Sequence, residues 1–329
     1  MQYKQLGRTN ISVSVVGMGC WALAGGTVWG EQDDKDSIDT VREAIDLGVN
    51  FFDTAEGYGA GRSEMVLGKA LVGRRQETVV ATKVSPSHLT SEELRQACER
   101  SLRNLGTDYI DLYQIHWPNW NIPIAETVGV LEDLKHQGKI RAFGVSNFGI
   151  RDLSDLLDVG RCQTDQLPYS LLFRAVEFEI QRKCLANEIG IICYSPLAQG
   201  VLTGKFMSAD GVPDGRARSR HFSKDRPLAR HREDGCETET FVAIRRIREA
   251  CATAGLSMAQ AALAWTLQQS GVTTVLAGAR KPLQIRENAE AAEIVLSPDV
   301  LRELTAATDE VKALLGPDPD QYDSNSRYR

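Results

Sequence analysis

Thr78-Val-Val-Ala-Thr-Lys83, then Ser91-Glu-Glu-Leu-Arg-Gln-Ala-Cys-Glu-Arg-Ser-Leu-Arg-Asn104, then Tyr109-Ile-Asp-Leu-Tyr-Gln-Ile-His116 form the stretch that decides the fold. The first and third pieces are short apolar runs, while the middle piece repeats its apolar residues at helical spacing. Thr90 with Glu93 suits a capping box at the start of that helix, and Gly106 suits its end. Strand, helix and strand in this order lie parallel, because the crossover must return over a sheet face. The same beat continues outward. Upstream lie strand candidates at Val15–Gly17 and Asn50–Asp53; downstream lie Ile140–Val145, Thr164–Leu167, Gly190–Tyr194 and Thr274–Leu276. Helical patterns fill the intervals, among them Asp34–Leu47, Arg62–Leu71, Ala125–Gln137, Val176–Glu188 and Glu237–Ala254. Eight such units in about 280 residues predict an α/β chain closed into a (β/α)8 TIM barrel, not two open sheets.

No linker rich in Pro, Gly or Ser divides the chain, so residues 1–329 are read as a single domain. Three additions decorate it. A short β-hairpin fits within about residues 1–14, around the polar turn Gly7–Asn10. A polar, arginine-rich loop of about residues 208–239 separates the seventh and eighth strands, and loops of that length in compact domains are usually functional or disordered. A C-terminal tail, about residues 311–329, follows a last helix near Pro298–Thr308.

Composition narrows the class. A hydrophobic fraction of 42% with 25% charged residues fits a globular protein with an ample core. The net charge of −6 argues against a nucleic-acid partner. Seven scattered cysteines, without paired spacing, suggest reduced thiols and no zinc site. Met1–Asn10 lacks the apolar core of a signal peptide, and no apolar run is long enough for a membrane span. A cytoplasmic protein with no membrane partner and no metal is the expectation; the oligomeric state is left open.

In a barrel, residues at the C-terminal ends of strands share one pocket. Asp53, Lys83 and His116 end three successive strands, and Tyr58 follows Asp53 on the loop leaving the same rim. A free tyrosine has a pKa of about 10, poor for proton transfer at neutral pH. A lysine beside it stabilises the phenolate, and a carboxylate holds the lysine charged and in place. Singly, each residue has a plain structural reading as a cap, a solvated charge or a satisfied polar group. Four together at strand ends make coincidence the weaker explanation.

The run Gly48-Val-Asn-Phe-Phe-Asp-Thr-Ala-Glu-Gly-Tyr-Gly59 resembles the signature of the aldo-keto reductase family. Its companions occur in order: Ala81-Thr-Lys83, Gln114-Ile-His-Trp-Pro118, Gly144-Val-Ser-Asn147, Gln166 with Tyr169, and Tyr194-Ser-Pro-Leu197. The likeness runs from Leu6-Gly7 to Asn288 and is similar to bacterial reductases of the sugar- and inositol-related group. It implies a catalytic tetrad of Asp53, Tyr58, Lys83 and His116, with Tyr58 protonating a carbonyl as hydride arrives from NADPH. It further implies that Ser146, Asn147 and Gln166 bind the nicotinamide carboxamide while Tyr194 stacks on the ring. Ser195 and Pro196 would bind the cofactor, and the run Leu197–Lys205, with Gln199, Gly200, Leu202 and Lys205, would wrap the pyrophosphate. Gly278 and Arg280 open a helix carrying Gln284, Glu287 and Asn288; a helix N-terminus with an arginine suits the 2′-phosphate of NADP.

Gly17-Met-Gly19-Cys-Trp-Ala22 imitates a dinucleotide fingerprint, but no helix signal begins before Asp34. Gly19 and Trp21 are expected to line the cofactor in a barrel instead. Gly200-Val-Leu-Thr-Gly-Lys205 falls one residue short of a phosphate-binding P-loop and has Phe206 in place of Ser or Thr. Trp29 and Trp117 are read as substrate-pocket walls, Trp120 is left open, and Cys20 and Cys193 are read as packing. The loop of 208–239 has hinges at Gly211, Gly215 and Gly235, cations at Arg216, Arg218 and Arg220, and few apolar residues. It is expected to be a flap that closes on the cofactor. The substrate expected is a small carbonyl compound, reduced to the alcohol. Two alternatives stay open: an NADPH-binding redox-sensing regulatory subunit, and a sugar isomerase or epimerase using the same residues.

Overall fold

Each of the eight apolar runs forms a strand, and the strands close on themselves in the computed structural model, which describes residues 1–329. A two-stranded antiparallel hairpin, β1 (Tyr3–Gln5) and β2 (Ser12–Ser14), precedes the ring. The barrel strands are β3 (Val16–Gly19), β4 (Phe51–Asp53), β5 (Val79–Val84), β6 (Ile110–Ile115) and β7 (Ile140–Ser146). β8 (Thr164–Pro168), β9 (Gly190–Tyr194) and β10 (Val272–Gly278) follow, and β10 pairs with both β9 and β3 to complete the circle.

The strands read as continuous apolar runs because both of their faces are buried. Alternate residues point to opposite faces. One set, including Phe52, Val80, Tyr113, Val145, Leu167 and Cys193, packs outward under the helices. The other set, Phe51, Val79, Ala81, Leu112, Ala142, Ile192 and Leu276, faces inward and meets Leu6, Ile11 and Val13 of the hairpin. The hairpin thus plugs the N-terminal mouth. Fully burying a Leu or Phe is worth roughly 1.5–3 kcal/mol, so this end of the barrel is a stabilising layer. Continuing along the same inward faces brings Asp53 above Phe51, Lys83 above Ala81 and Gln114 above Leu112. The period of two therefore lifts a polar layer directly onto the apolar plug, at the C-terminal mouth.

Two segments differ from their sequence reading. The single helix expected at Val176–Glu188 is a 3-10 turn at Ala175–Glu177 and a helix at Ile180–Ala186, broken at Glu179 with φ −145°. Glu177 is drawn away by Arg174, Lys312 and Tyr169, which bond its carboxylate at 2.7–2.9 Å. The segment 208–239 has more anchorage than its composition suggested. Val212, Ala217, Phe222 and Cys236 are buried in the main core. Arg220 donates to the carbonyls of Leu315, Asp318 and Asp320, and His221 Nε2 lies 2.8 Å from the carbonyl of Leu172. No helix is long and apolar enough to cross a membrane.

Candidate active site

Strand register gathers the polar layer. Asp53 lies beside Ala81, Lys83 beside Gln114, Ser146 beside Gln166 and Tyr194 beside Pro168 on neighbouring strands. Lys83 is fully buried beneath the pocket floor, and its three ammonium protons are all committed. They go to Asp53 Oδ1 at 2.5 Å, the carbonyl of Thr54 at 2.8 Å and Tyr58 Oη at 3.3 Å. The other carboxylate oxygen of Asp53 accepts from Gln114 Nε2 at 3.1 Å and Gln166 Nε2 at 2.8 Å. The carboxylate is thereby fixed from both sides, and it fixes the lysine.

Because Lys83 donates to the phenol oxygen, the phenol's own proton is free to point into the pocket. Burial pushes Tyr58 above a free phenol, with Lys83 acting in the opposite direction. The group stands as a protonated donor in this form, where the sequence had suggested a lowered pKa. Burial pulls Lys83 down, but Asp53 and Tyr58 outweigh it and leave the ammonium above its ordinary value. His116 packs edge-on against Tyr58, with ring centroids 5.7 Å apart. Burial, then the charges of Lys83 and Arg327, hold its imidazole down to about 3, so it is neutral.

An open pocket of about 520 Å³ rises from this floor. Gly19, Trp21, Trp29, Asp53, Tyr58, His116, Trp117, Ser146, Asn147, Gln166 and Tyr194 line it. So do Ser195, Pro196, Leu197, Gln199, Gly200, Lys205, Gly278, Arg280 and Gln284. Besides Lys83, which lies beneath the floor, three sequence candidates fall outside. Leu202 is buried in the core, Glu287 is exposed on the helix surface, and Asn288 turns back to the carbonyl of Gly278 at 3.4 Å. Trp120 also lies apart, with its indole nitrogen on Asp152. Cys20 lines the wall, but burial pushes its thiol up, and Cys193 is likewise buried and raised. β3 leads into a 3-10 turn at Trp21–Ala24, so the glycines there open no long helix. No cluster of three or more His, Cys, Asp or Glu side chains is placed to hold a metal.

The pocket has two further features. The guanidinium of Arg280 reaches across to the loop of Trp29, bonding Gln32 Oε1 at 2.6 Å, the Trp29 carbonyl at 2.7 Å and the Glu31 carbonyl. All three acceptors are neutral, and Arg280 forms no ion pair. The tail then crosses the mouth. Tyr328 donates to Asn147 Oδ1 at 2.6 Å beside the bond from Tyr194 at 2.9 Å, Arg327 lies 3.7 Å over Trp117, and Tyr322 accepts from Gln199 at 2.7 Å. The main-chain oxygen of Arg329 accepts from the amides of Arg151 and Asp152 at the start of the helix Ile150–Leu157. Tyr322, Arg327 and Tyr328 escaped the sequence reading because a polar, aperiodic segment carries no signal of what it covers.

A model of the Aldo/keto reductase family matches residues 15–309. The chain is 37% identical to the NADH-specific methylglyoxal reductase of Escherichia coli, over 92% of this chain and 98% of that protein. Among solved structures it resembles a glycerol dehydrogenase of Gluconobacter oxydans, with TM-score 0.80, 30% identity and 96% and 97% of the two chains covered. It also resembles an aldo-keto reductase of Klebsiella pneumoniae in complex with NADPH, with TM-score 0.74, 30% identity and 98% of each chain covered. A closed eight-stranded barrel with this polar mouth, matched along nearly its whole length, belongs to the Aldo/keto reductase family, and the chain is a carbonyl-reducing oxidoreductase of that family.

Proposed function

We propose that the protein reduces small aldehydes and ketones with NADPH, using Tyr58 as the proton donor. The observation that carries this reading is the arrangement of Lys83. Its three protons are spent on Asp53, Thr54 and Tyr58, which leaves the phenol proton as the one aimed at a ligand. NADPH, when bound, supplies the hydride that attacks the carbonyl carbon. Tyr58 then gives its proton to the carbonyl oxygen, and the cation of Lys83 steadies the phenolate left behind. His116, neutral and beside Tyr58, donates a hydrogen bond that orients the carbonyl without competing as an acid. Trp21, Trp29 and Trp117 wall the pocket and keep water from the reacting atoms.

The fit of a dinucleotide is supported by atoms left wanting partners. Gln199 Oε1 and Trp29 Nε1 are buried on the pocket wall without a hydrogen bond. Ser146, Asn147 and Gln166 would hold the carboxamide, Tyr194 the ring face, and the loop Leu197–Lys205 the pyrophosphate. Within that loop Gln199 and Gly200 adopt left-handed backbone with φ 54° and 94°, which curls the chain around the site. The choice of NADPH rests on Arg280, a guanidinium held by neutral acceptors and so still owed an anion. The Klebsiella relative was solved with NADPH, whereas the Escherichia coli relative is named for NADH. A panel of aldehydes, ketones and sugars, assayed for oxidation of NADPH and separately of NADH, tests the proposal. Turnover of several carbonyls with NADPH favoured supports it. Conversion of a sugar without net cofactor oxidation, or no turnover at all, overturns it.

A further inference from the structure

The cations of the pocket fall into separate groups. Lys205 and Arg216 stand together at the loop: a methyl group added at Gly200 would lie 3.1 Å from Lys205 Nζ and 3.6 Å from an Arg216 nitrogen. These two match the two charges of a pyrophosphate. Arg327, at the carbonyl end, is neutralised by two bonds of 2.7 Å to the fully buried Asp320.

Arg218 has no such partner. It makes no ion pair, and its Nε is buried without an acceptor. It lies against aromatic faces, with its guanidinium carbon 5.8 Å from the Trp21 ring centre and 5.5 Å from that of Tyr322. Trp21 in turn stacks on Tyr58, with centroids 5.8 Å apart and planes at 27°. One indole therefore separates an unpaired guanidinium from the phenol that faces the carbonyl. Asp53 is the only acidic side chain lining the pocket, and Lys83, Gln114 and Gln166 already occupy it. Burial pulls Arg218 below an ordinary arginine; Tyr322 opposes this and the nearby charge of Arg230 adds to it. A partly desolvated charge without a counter-ion is costly unless a ligand compensates it.

We propose that Arg218 recognises an anionic group on the substrate, so that the enzyme prefers short carbonyl compounds bearing a carboxylate or phosphate to neutral ones of equal length. The planar fork of arginine suits the paired oxygens of either anion. The faces of Trp21 and Tyr322 hold it ready, which limits the ordering lost on binding. This inference rests on the carbonyl-reductase reading of the same pocket.

The test compares succinic semialdehyde with butanal, and glyceraldehyde 3-phosphate with glyceraldehyde, all with NADPH. Wild type, Arg218→Met and Arg218→Lys are assayed, and the affinity of each for NADPH is measured by fluorescence quenching. Succinate, which cannot be reduced, is titrated onto each protein loaded with NADP⁺. Wild type should favour the charged member of at least one pair by about tenfold or more in kcat/KM, the scale of one charge-assisted contact. Arg218→Met should erase most of that preference and weaken succinate, Arg218→Lys should keep part of it, and NADPH affinity should stay near that of wild type. No preference in wild type, or a preference that survives Arg218→Met, overturns the inference. A loss of NADPH affinity in step with the loss of preference also overturns it, because Arg218 would then serve the pyrophosphate. If wild type reduces no carbonyl, the proposed activity fails, and the succinate titration alone decides the anion site: equal binding by wild type and Arg218→Met rejects it.

Discussion

Replacing Lys83 by Met tests whether its charge supports both the stability of this site and the proton chemistry proposed for it. The lysine is fully buried and its bond to Asp53 measures 2.5 Å. Removing one partner of a buried ion pair costs about 3–5 kcal/mol, because the other charge is left without compensation. Asp53 keeps the amide donors of Gln114 at 3.1 Å and Gln166 at 2.8 Å, which places the loss toward the lower end, about 3 kcal/mol. For a chain of this size each kcal/mol lowers the thermal midpoint by roughly 2 °C, so a fall of about 6 °C follows. The double variant Asp53→Asn/Lys83→Met removes both charges and should regain part of that loss. The same substitution acts on Tyr58. Burial already holds the phenol above its ordinary pKa, and the lysine opposes this, so Lys83→Met raises it further. On the proposed mechanism Tyr58 accepts a proton as phenolate in the alcohol-oxidation direction, so the rate should climb as pH rises through its pKa. In Lys83→Met that limb should move to higher pH. Calorimetry and initial rates of alcohol oxidation across pH measure the two effects. A midpoint unchanged from wild type refutes the buried-pair reasoning, and an unmoved limb removes Lys83 from the proton chemistry.

The cofactor end makes its own prediction. Arg280→Ala should weaken NADPH by at least tenfold, from the loss of charge-assisted bonds worth roughly 1.5–3 kcal/mol each. NADH, which has no 2′-phosphate, should lose only what release of the Trp29 loop costs, and equal losses in fluorescence titrations would make Arg280 purely structural. His116 has a folded pKa lowered from 6.5 to about 3, so its contribution to stability is complete above 6.5 and declines as pH falls from there toward 3. Thermal midpoints against pH should therefore be flatter in that window for His116→Gln, and identical slopes would show that the imidazole is not held neutral. Bound NADPH should slow tryptic cleavage between Arg216 and Arg232, where Arg216 and Arg218 face the pocket. Equal rates with saturating NADPH would leave residues 208–239 as a connection, not a flap.

The barrel was legible because its strands are buried on both faces and so stand out as apolar runs against amphipathic helices. Asp53, Lys83 and His116 were legible for a related reason: each is a polar residue ending an apolar run, and strand ends converge in a barrel. Contacts made far along the chain were not legible. Nothing in Gly278-Ala-Arg280 shows that the guanidinium reaches the carbonyl of Trp29, 251 positions away. The anchoring of residues 208–239 depends on Arg220 meeting the carbonyls of Leu315 to Asp320, and both segments are polar and aperiodic. Tyr328 meets Asn147 across 181 positions, which no local period encodes. The break at Glu179 likewise sits beside bonds from Arg174 and Lys312 to Glu177, the second of them a tertiary contact that no helical pattern encodes.

The role of Tyr58 is tested most directly by Tyr58→Phe, assayed for steady-state carbonyl reduction with NADPH and for NADPH binding on the same preparation. The phenyl ring keeps the stack on Trp21 and the edge contact with His116, so the pocket retains its shape. The hydroxyl is removed, and with it both the proton offered to the ligand and the acceptor offered to Lys83 at 3.3 Å. A positioned general acid contributes about 100- to 10,000-fold in rate, so kcat should fall by that range while NADPH affinity stays near that of wild type. Turnover within a factor of about three of wild type would contradict the account, because a carbonyl reduced without the Tyr58 hydroxyl must take its proton from another group.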